Sequence, residues 1–446
     1  MSGQVIRAVI GKGFGDEGKG LAVDYFCSKV PQALVLKHNG GAQAGHTVEP
    51  DGKRFVFHQL SSGSFRHADT FWADSYYPDL YKLGEEAEEF RAVSGFVPKV
   101  LCDVRTKVTL IDDVLINMLL ETLRGDARHG SCGMGINECD LRSRAGHAMT
   151  VYDFLSLDAK ALKQRMLEIR EGYGRERIRT ALREEAGVES QSAPHSAEEE
   201  IVRRIAAHAD AREYMDCLSS RTVIENVVEE MQRNAEKYVT PIEDTAKLLR
   251  ERESIVFESG QGLLLDGENT QFWPHVSASR TGLHHPIRIL KEAGLSLDEA
   301  VYVTRTYVTR HGAGPLPYEC TAKSLGLTEA DATNIDNPWQ GSIRYASHGT
   351  MEEFLQPVMD NLKAVNVRKD DTLGVMDETM SERKERGPFV SLFLTHLNET
   401  RECLRMADKA LPINELLSDE TFRNVFDRCY LSEDKDSRNT KEVQLD

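Results

Sequence analysis

Near the amino terminus, the segment GKGFGDEGKG (residues 11–20) combines a phosphate-binding pattern with two acids. Gly13 to Lys19 have the spacing G-x-x-x-x-G-K, in which backbone N–H groups and a lysine bind phosphates. The usual pattern continues with a Ser or Thr whose hydroxyl binds Mg²⁺, but Gly20 stands there. Asp16 lies inside the loop, and a carboxylate is a ligand that this hard cation prefers. We therefore predict that Asp16 holds the metal.

Three other Gly-rich segments carry polar side chains suited to a reaction site. HNGGAQAGHT places His46 behind a glycine loop, and FESGQGLLLDG presents Gln261 between two glycines. TRHGAGPLPYE places Arg310 where a guanidinium can meet an anion. A histidine on such a loop is a candidate acid or base. We expect these segments to converge on the phosphate loop.

The stretches that flank these motifs predict an α/β fold with a mainly parallel central sheet and flanking helices. QVIRAVIG is a β-branched run that ends in Gly, and EGKGLAVDYFCSKV after it has the pattern of a helix. Further strands are predicted at residues 54–60, 255–257, 300–309 and 389–394. In open α/β sheets ligands bind at the carboxyl ends of strands, which is where the Gly-rich loops fall.

The pattern changes between about residues 153 and 253, where long amphipathic helices are predicted around the polar stretch VESQSAPHSAEEE. We interpret this region as a mostly helical insertion in a single domain that spans residues 1–446. Its charge runs are typical of solvated helix faces. The polar end of the chain, LSEDKDSRNTKEVQLD, is expected to be partly mobile.

The composition indicates which protein classes to exclude. A net charge of -17 argues against a nucleic-acid-binding protein, which needs a basic face. No apolar run is long enough to span a bilayer, and the first residues lack a signal-peptide pattern. The eight cysteines form no C-x-x-C pair, so a zinc site or redox pair is not expected. These features favour a soluble, cytoplasmic enzyme.

Five segments, taken together, resemble the adenylosuccinate synthetase family. They are GDEGKG, GGAQAGHTV, FESGQGLLLD, WPHVSAS and TRHGAGPLPYE, in the family's order between residues 15 and 319. The family's versions read close to GDEGKGK, GGxNAGHTV, FEGAQGTLLD, YPYVTSS and TRVGxGPFPTE. The resemblance covers the first three quarters of the chain.

The resemblance implies a ligase that acts in two steps. The family transfers the γ-phosphoryl group of GTP to the 6-oxygen of IMP and then displaces phosphate with the amino group of aspartate. Phosphorylation makes the purine oxygen a good leaving group, and a base at N1 with a histidine at the oxygen assists the transfer. The implied partners are a purine nucleotide, aspartate, a nucleoside triphosphate (ATP or GTP), Mg²⁺ and a second copy of the chain in a homodimer.

The family's functional residues can be carried over by position. Asp16 matches the general base and a metal ligand, His46 the general acid, and the Gly45 carbonyl a second metal contact. The phosphate-binding positions are Gly15, Asp16, Glu17, Gly18, Lys19, Gly20, Gly45, His46 and Thr47. The acceptor-nucleotide positions are Gln43, Ser131, Cys132, Gln261 and Ser277. Arg144, or alternatively Arg142, matches the arginine that one subunit of the homodimer contributes to the site of the other.

Two specificity segments depart from the family pattern. The aspartate loop, T-T-G-R-x-R in the family, reads NPWQGSIRYASHG here, with Ser342 for the first arginine and Arg344 left to bind the aspartate carboxylate. The guanine-recognition strand ends T-K-L-D in the family, but FLTHLNET places His396 and Asn398 there. The second guanine segment is reduced to LSEDKDSR. An amide serves the edge of adenine, so we expect Asn398 to contact ATP.

Two alternative functions are compatible with these motifs. One is a relative that acts on GMP or dGMP to give a 2-aminoadenylosuccinate product. Viral relatives of that type replace the catalytic Asp with Ser, whereas this chain keeps Asp16 and GGAQAGHT, which favours an IMP-like acceptor. The other alternative is a non-catalytic nucleotide sensor. Retention of both Asp16 and His46 argues against it.

Overall fold

A ten-stranded sheet organises the residues that the computed structural model describes, which are 3–30, 32–185, 202–327, 339–366 and 387–445. The strands are β1 (Val5–Gly11), β2 (Leu34–Lys37), β3 (His46–Val48), β4 (Phe55–Phe57), β5 (Asp69–Trp72), β6 (Val100–Asp103), β7 (Val239–Ile242), β8 (Ser254–Gly262), β9 (Glu299–Arg305), β10 (Val308–Arg310), β11 (Glu319–Cys320), β12 (Arg344–Ala346), β13 (Phe389–Thr395), β14 (Cys403–Arg405), β15 (Ala410–Pro412), β16 (Arg428–Leu431) and β17 (Lys441–Gln444). The sheet has the order β17-β16-β13-β9-β1-β8-β2-β5-β6-β7.

Helices cover both faces of this sheet. They are α1 (Lys19–Lys29), α2 (Leu80–Ser94), α3 (Ile111–Arg124), α4 (Ile136–Arg142), α5 (Val151–Ser156), α6 (Ala159–Ile169), α7 (Arg175–Glu185), α8 (Ala209–Ser219), α9 (Arg221–Tyr238), α10 (Thr245–Arg250), α11 (His284–Ala293), α12 (Met351–Ala364), α13 (Ile413–Leu416) and α14 (Glu420–Arg423). In the part of the chain that the structure describes, no helix has the length and apolar character needed to cross a membrane.

The central strands are parallel and buried on both faces, as their apolar sequences require. Ile6 and Ile10 of β1 pack with α11 and α12 on one face, whereas Val9 packs with α1 on the other. This alternation follows from the two-residue period of a strand. The predicted α/β fold with a mainly parallel sheet is confirmed.

The strand order reverses beside β1. From β1 the chain continues to β2, β5, β6 and β7 on one side, and β8 then returns to lie between β1 and β2. Next, β9 pairs with the other edge of β1, and β13 and β16 extend the sheet away from it. Loops that leave neighbouring strands in opposite directions open a crevice at the carboxyl ends of those strands.

The predicted elements differ from the observed ones at three places. The strand predicted at 300–309 is divided into β9 and β10, and only β9 belongs to the central sheet. The region 153–253 is helical where the structure describes it, except that β7 joins the edge of the sheet and β8 begins at its end. In the polar tail, for which no strand was predicted, residues 441–444 form β17 antiparallel to β16.

Backbone contact fixes the loop that follows β2. Gly41 forms a bridge with Tyr77, and the N–H of Tyr77 donates to the carbonyl of Gly40 at 2.9 Å. A Cβ at Gly41 would lie 2.2 Å from the Tyr77 carbonyl oxygen and 2.5 Å from the Ile136 side chain. The absence of a side chain therefore lets this loop approach α4.

We predict that Gly41→Ala destabilises the protein by about 1–3 kcal/mol, because the new methyl group overlaps the backbone of Tyr77. Urea unfolding measures the change. Gly172→Ala is the matched control, since no heavy atom lies within 4 Å of its Cβ position. Equal stabilities for the two variants would contradict the proposed close approach.

Candidate active site

A cavity of about 890 Å³ lies at the carboxyl ends of the central strands. Loops after β1, β2, β13 and β16 line it, together with the last residues of β8. The structure brings thirteen of the predicted site residues to its walls: Gly15, Asp16, Glu17, Gly18, Lys19, Gly20, Gln43, Gly45, His46, Thr47, Cys132, Gln261 and Asn398.

The phosphate loop connects β1 directly to α1. Gly15 and Gly18 have φ values of 108° and 91°, which L side chains rarely adopt, so glycine is required at both positions. Asp16 is also left-handed, with φ 57°, a conformation that Asp tolerates better than most residues. Gly18 precedes the first residue of α1, so the helix amino terminus faces the cavity with its positive dipole end.

The two acids of this loop have different environments. Glu17 is buried, and its carboxylate accepts hydrogen bonds from the backbone N–H groups of Gly13 (3.0 Å) and Gly15 (2.8 Å). It also accepts a hydrogen bond from Lys19 Nζ at 2.6 Å. Burial opposes ionisation, but Lys19 and the backbone donors hold the pKa of Glu17 below its usual value. Glu17 thus stabilises the loop internally, and Asp16 faces the cavity.

Both the backbone carbonyl and the side chain of Asp16 have neighbours that fix its position. Arg305 Nε donates to its backbone carbonyl at 2.5 Å, and His311 Nε2 lies 3.4 Å from Oδ2. The Asp16 side chain remains 28% exposed. Gly45 is an exposed residue on the wall of the same cavity. A carboxylate and a backbone carbonyl on one cavity are oxygen ligands of the type that Mg²⁺ takes, so these residues fit the predicted metal.

His46 begins β3 and is buried against a charged cluster. Its Nδ1 lies 2.5 Å from Glu258 Oε1, and Lys37 Nζ lies 3.7 Å from Oε2 of the same carboxylate. Ser62 Oγ donates to Glu258 as well. Burial lowers the pKa of His46, whereas Glu258 acts in the opposite direction. His46 Nε2 has no hydrogen-bond partner among the described residues, and the ring lines the cavity.

The position of His46 explains why Gly20 replaces the usual hydroxyl residue. A Cβ on Gly20 would lie 3.0 Å from the Cβ of His46 and 3.2 Å from the carbonyl of Thr47. A Ser or Thr there would push the β3 segment away from α1. The space that a metal-binding hydroxyl occupies in other phosphate loops is therefore taken by the histidine segment.

The predicted acceptor residues divide into two groups. Gln43 and Gln261 line the cavity beside Cys132, and Asn39 Nδ2 donates to Gln261 Oε1 at 3.1 Å. Gln43 Oε1 is buried without a hydrogen-bond partner among the described residues. An unpaired amide oxygen of this kind suits a ligand donor.

The other predicted acceptor residues do not reach the cavity wall. Ser131 Oγ donates to Asn117 at 2.8 Å, and Ser277 Oγ accepts from the N–H of Ser279 at 3.2 Å. Ser279, in contrast, accepts from the N–H of Gly40 in the loop that carries Gln43. Of the serines in this segment, Ser279 is therefore the one bonded to the acceptor loop.

The two candidate arginines for the homodimer contact differ in exposure. Arg142 is buried and forms a bidentate ion pair with Asp113, with distances of 2.9 and 2.8 Å. The Arg144 side chain is 72% exposed and pairs with Asp140 at 2.8 Å. Only Arg144 of the two is accessible to a second molecule, and it does not line the cavity of this chain.

Arg310 and Arg344 bond to the protein itself. Arg310 donates to the carbonyls of Pro315 and His275, and burial lowers its pKa to about 10. Arg344 pairs with Glu319 at 2.6 Å and donates to a neighbouring carbonyl. Neither side chain lines the cavity, so an anionic ligand would have to displace these internal partners.

The segments after β13 and β16 also line the cavity. His396 and Asn398 come from the first segment, and residues 432–435 come from the second. The structure therefore brings FLTHLNET and LSEDKDSR together, although they lie far apart in the chain. Both segments that were predicted to recognise the phosphoryl donor line the same cavity.

The family model for adenylosuccinate synthetase matches residues 8–332. The chain belongs to this family. The enzyme named adenylosuccinate synthetase from Thermus thermophilus is 31% identical over 327 residues, or 70% of this chain. The match spans 65% of that relative's length, which is just under two thirds.

Two solved structures share the fold. The adenylosuccinate synthetase of Plasmodium falciparum gives a TM-score of 0.55 at 17% identity, covering 80% of this chain and 74% of that one. The succinoaminodeoxyadenylate synthetase of cyanophage S-2L, solved with dGMP and dATP, gives 0.54 at 13% identity. This likeness covers 98% of this chain and 95% of the cyanophage chain, so the fold shared with that structure extends beyond residue 332.

Sequence reasoning missed three residues that hold the site together: Glu258, Arg305 and His311. Glu258 was visible in the motif FESGQG as an acid in an apolar strand, and a buried acid requires a partner. His311 follows Arg310 in TRHGAGP, where the family pattern has valine. The contacts of Arg305 and His311 with Asp16 depend on the strand order, and no sequence spacing indicates them.

We predict that Glu258→Gln destabilises the protein by about 3–5 kcal/mol, because it removes the carboxylate that compensates the buried Lys37. Denaturant unfolding measures the loss. Glu253→Gln, at an exposed position just before β8, should change stability by less than about 0.5 kcal/mol. A Glu258→Gln protein as stable as this control would rule out the buried charge cluster.

Proposed function

We propose that the protein is a ligase that uses a nucleoside triphosphate and Mg²⁺ to join aspartate to C6 of a 6-oxopurine nucleotide. The reaction passes through a 6-phosphoryl intermediate and gives a product of the adenylosuccinate type. The observation that carries this proposal is the meeting of Asp16 and His46, from separate loops, in one cavity with the phosphate loop. A ligase of this type needs the base, the acid and the phosphate loop to contact the acceptor nucleotide and the triphosphate at the same time.

Asp16 is the general base of the proposed reaction. Its side chain reaches the cavity, and His311 and Arg305 fix its position. Removal of the N1 proton raises the electron density of the 6-oxygen, which then attacks the γ-phosphorus and displaces the nucleoside diphosphate. The amino group of aspartate then attacks C6 and displaces phosphate. Gln43 and Gln261, which line the same cavity, would hold the purine for this step.

His46 stabilises charge that develops on the transferred phosphoryl group and the 6-oxygen. Glu258 binds Nδ1 of the ring, so Nε2 is the nitrogen that remains to contact the substrate. A ring fixed by a buried carboxylate is pre-organised, so little reorganisation is needed as charge develops. Lys19 and the amino terminus of α1 supply further positive charge beside it.

Mg²⁺ would be held by the Asp16 carboxylate and the Gly45 carbonyl. It would neutralise charge on the phosphates of the triphosphate. Both residues lie at the cavity wall. The phosphate loop provides no hydroxyl for this purpose, because Gly20 packs against His46.

The side chains that follow β13 and β16 favour ATP as the phosphoryl donor. Asn398 is exposed there, and its amide can pair with the acceptor and donor of the adenine edge. The nearby carboxylates already accept internal hydrogen bonds: Glu399 from Tyr307, Glu433 from Lys441 and Asp434 from Asn439. An acid that recognises guanine at this place would therefore be one that already holds an internal partner.

A substrate matrix tests the proposal as a whole. IMP, dIMP, GMP and dGMP are each combined with ATP or GTP in the presence of aspartate and Mg²⁺, and products are followed by mass. We expect the largest turnover with IMP or dIMP. A preference for GMP or dGMP would favour the 2-amino alternative, and binding without turnover would indicate a nucleotide sensor.

We predict that Asp16→Asn lowers kcat by about 10²- to 10⁴-fold, the range expected when a general base is lost. The exposed Asp408→Asn is the control and should keep normal turnover. Steady-state kinetics with the best acceptor measures both. Near-normal turnover of Asp16→Asn would refute the role of Asp16 as base.

We predict that kcat/KM is at least about tenfold higher for ATP than for GTP, because an amide leaves guanine's donors poorly paired. Asn398→Asp should move this ratio towards GTP, whereas Asn414→Asp on the exposed face of α13 should not. Parallel assays with both triphosphates give the ratio. A clear preference for GTP in the unmodified protein would overturn this part of the proposal.

A further inference from the structure

A second cavity, of about 550 Å³, lies on the other side of the phosphate loop. Its walls are the loop after β8, the adjoining ends of β9 and β10, and α12. It shares Phe14, Gly15, Glu17 and Arg305 with the first cavity, but Asp16 and His46 do not line it. The phosphate loop is therefore a wall between two separate cavities.

Lys12, at the end of β1, reaches this cavity from the protein interior. The residue is only 5% exposed, and its Nζ lies 3.9 Å from the centre of the Phe354 ring. Within the described parts of the chain its ammonium forms no hydrogen bond or ion pair. The buried Lys19 and Lys37, in contrast, each have a carboxylate within 3.7 Å.

This arrangement leaves a buried cation poorly compensated. Burial lowers the pKa of Lys12 to about 7, although the charge of Glu17 acts against this change. Glu17 itself is bonded to Lys19 and to two backbone N–H groups. A buried ammonium is costly unless an anion or several acceptors solvate it. An anionic ligand at Nζ would supply that compensation.

The remaining walls suit a small organic molecule. Leu263, Leu264 and Phe272 add apolar side chains to the lining that contains Phe354. Thr309 and Ser347 are polar residues of the same lining. The volume is within the range of small-molecule sites, which are mostly apolar with a few polar groups.

The acids at the rim are engaged by neighbours. Asp266 and Glu268 both pair with Arg280, at 3.0 and 2.8 Å. Glu353 accepts a hydrogen bond from the Tyr318 hydroxyl at 2.8 Å. Asp360 is exposed and accepts from Gln356, so solvent screens its charge. The rim therefore permits an anion with a single charged group to reach Lys12.

We infer that this cavity is a second ligand site, which binds a small organic anion with its carboxylate or phosphate at Lys12 and its apolar body against Phe354. The site is separate from the ligase chemistry proposed for the first cavity. Two sources of the anionic group are possible, a carboxylic acid and a phosphate monoester, and they differ in charge.

Benzoate and phenyl phosphate serve as probes of the two anionic groups, with benzyl alcohol as their neutral counterpart. Isothermal titration calorimetry on the full chain is performed with ATP present, so that the phosphate loop is occupied. We expect one of the anions to bind at least tenfold more tightly than benzyl alcohol. Lys12→Met should weaken that binding at least tenfold, and the exposed Lys53→Met should leave it unchanged.

A second variant tests the cavity independently, in case Lys12→Met does not fold. Gln356 is exposed on α12 at the cavity lining, so Gln356→Trp narrows the mouth without altering the core. It should also weaken binding of the anion at least tenfold. The inference fails if neither anion binds to the unmodified protein at millimolar concentration. It also fails if both variants bind the probe as the unmodified protein does.

Discussion

The parallel alignment of the central strands is the constraint on which the candidate site depends. Because β1, β2, β8, β9, β13 and β16 all run in one direction, their carboxyl ends meet at one edge of the sheet. The reversal of strand order beside β1 separates the loops that leave this edge. Residues as far apart in the chain as Asp16 and Asn398 consequently line a single cavity.

Buried glutamates then fix the loops at this edge. Glu17 binds the N–H groups of the phosphate loop, and Glu258 joins Lys37 to His46 across the β2–β8 pair. Glu121 accepts the N–H groups of residues 129–131 in the same manner, which holds the loop that carries Cys132. Each carboxylate satisfies buried or partly buried donors of its loop, which ties the loop to the elements that carry these acids.

The residues proposed as base and acid and the segments that depart from the family pattern occupy different parts of this framework. The base and acid positions of the family lie on the loops after β1 and β2, within the region that the family model matches. The segments that depart from the family pattern lie beyond β10, where Arg344 pairs with Glu319. The phosphate loop also separates the first cavity from the one at Lys12, so both sites contact the same turn of the chain.

The amino-acid sequence alone predicts the α/β fold, the phosphate loop and the candidate residues Asp16, His46 and Gln261, because each depends on a local pattern of strand, glycine turn and polar side chain. It did not determine the roles of Arg310 and Arg344. Their guanidinium groups bond to carbonyls and an acid that only tertiary packing brings near. Tertiary structure also fixes the partners of Asp16 and His46. Strand order, and not distance in the sequence, places Arg305 and His311 beside Asp16 and Glu258 beside His46.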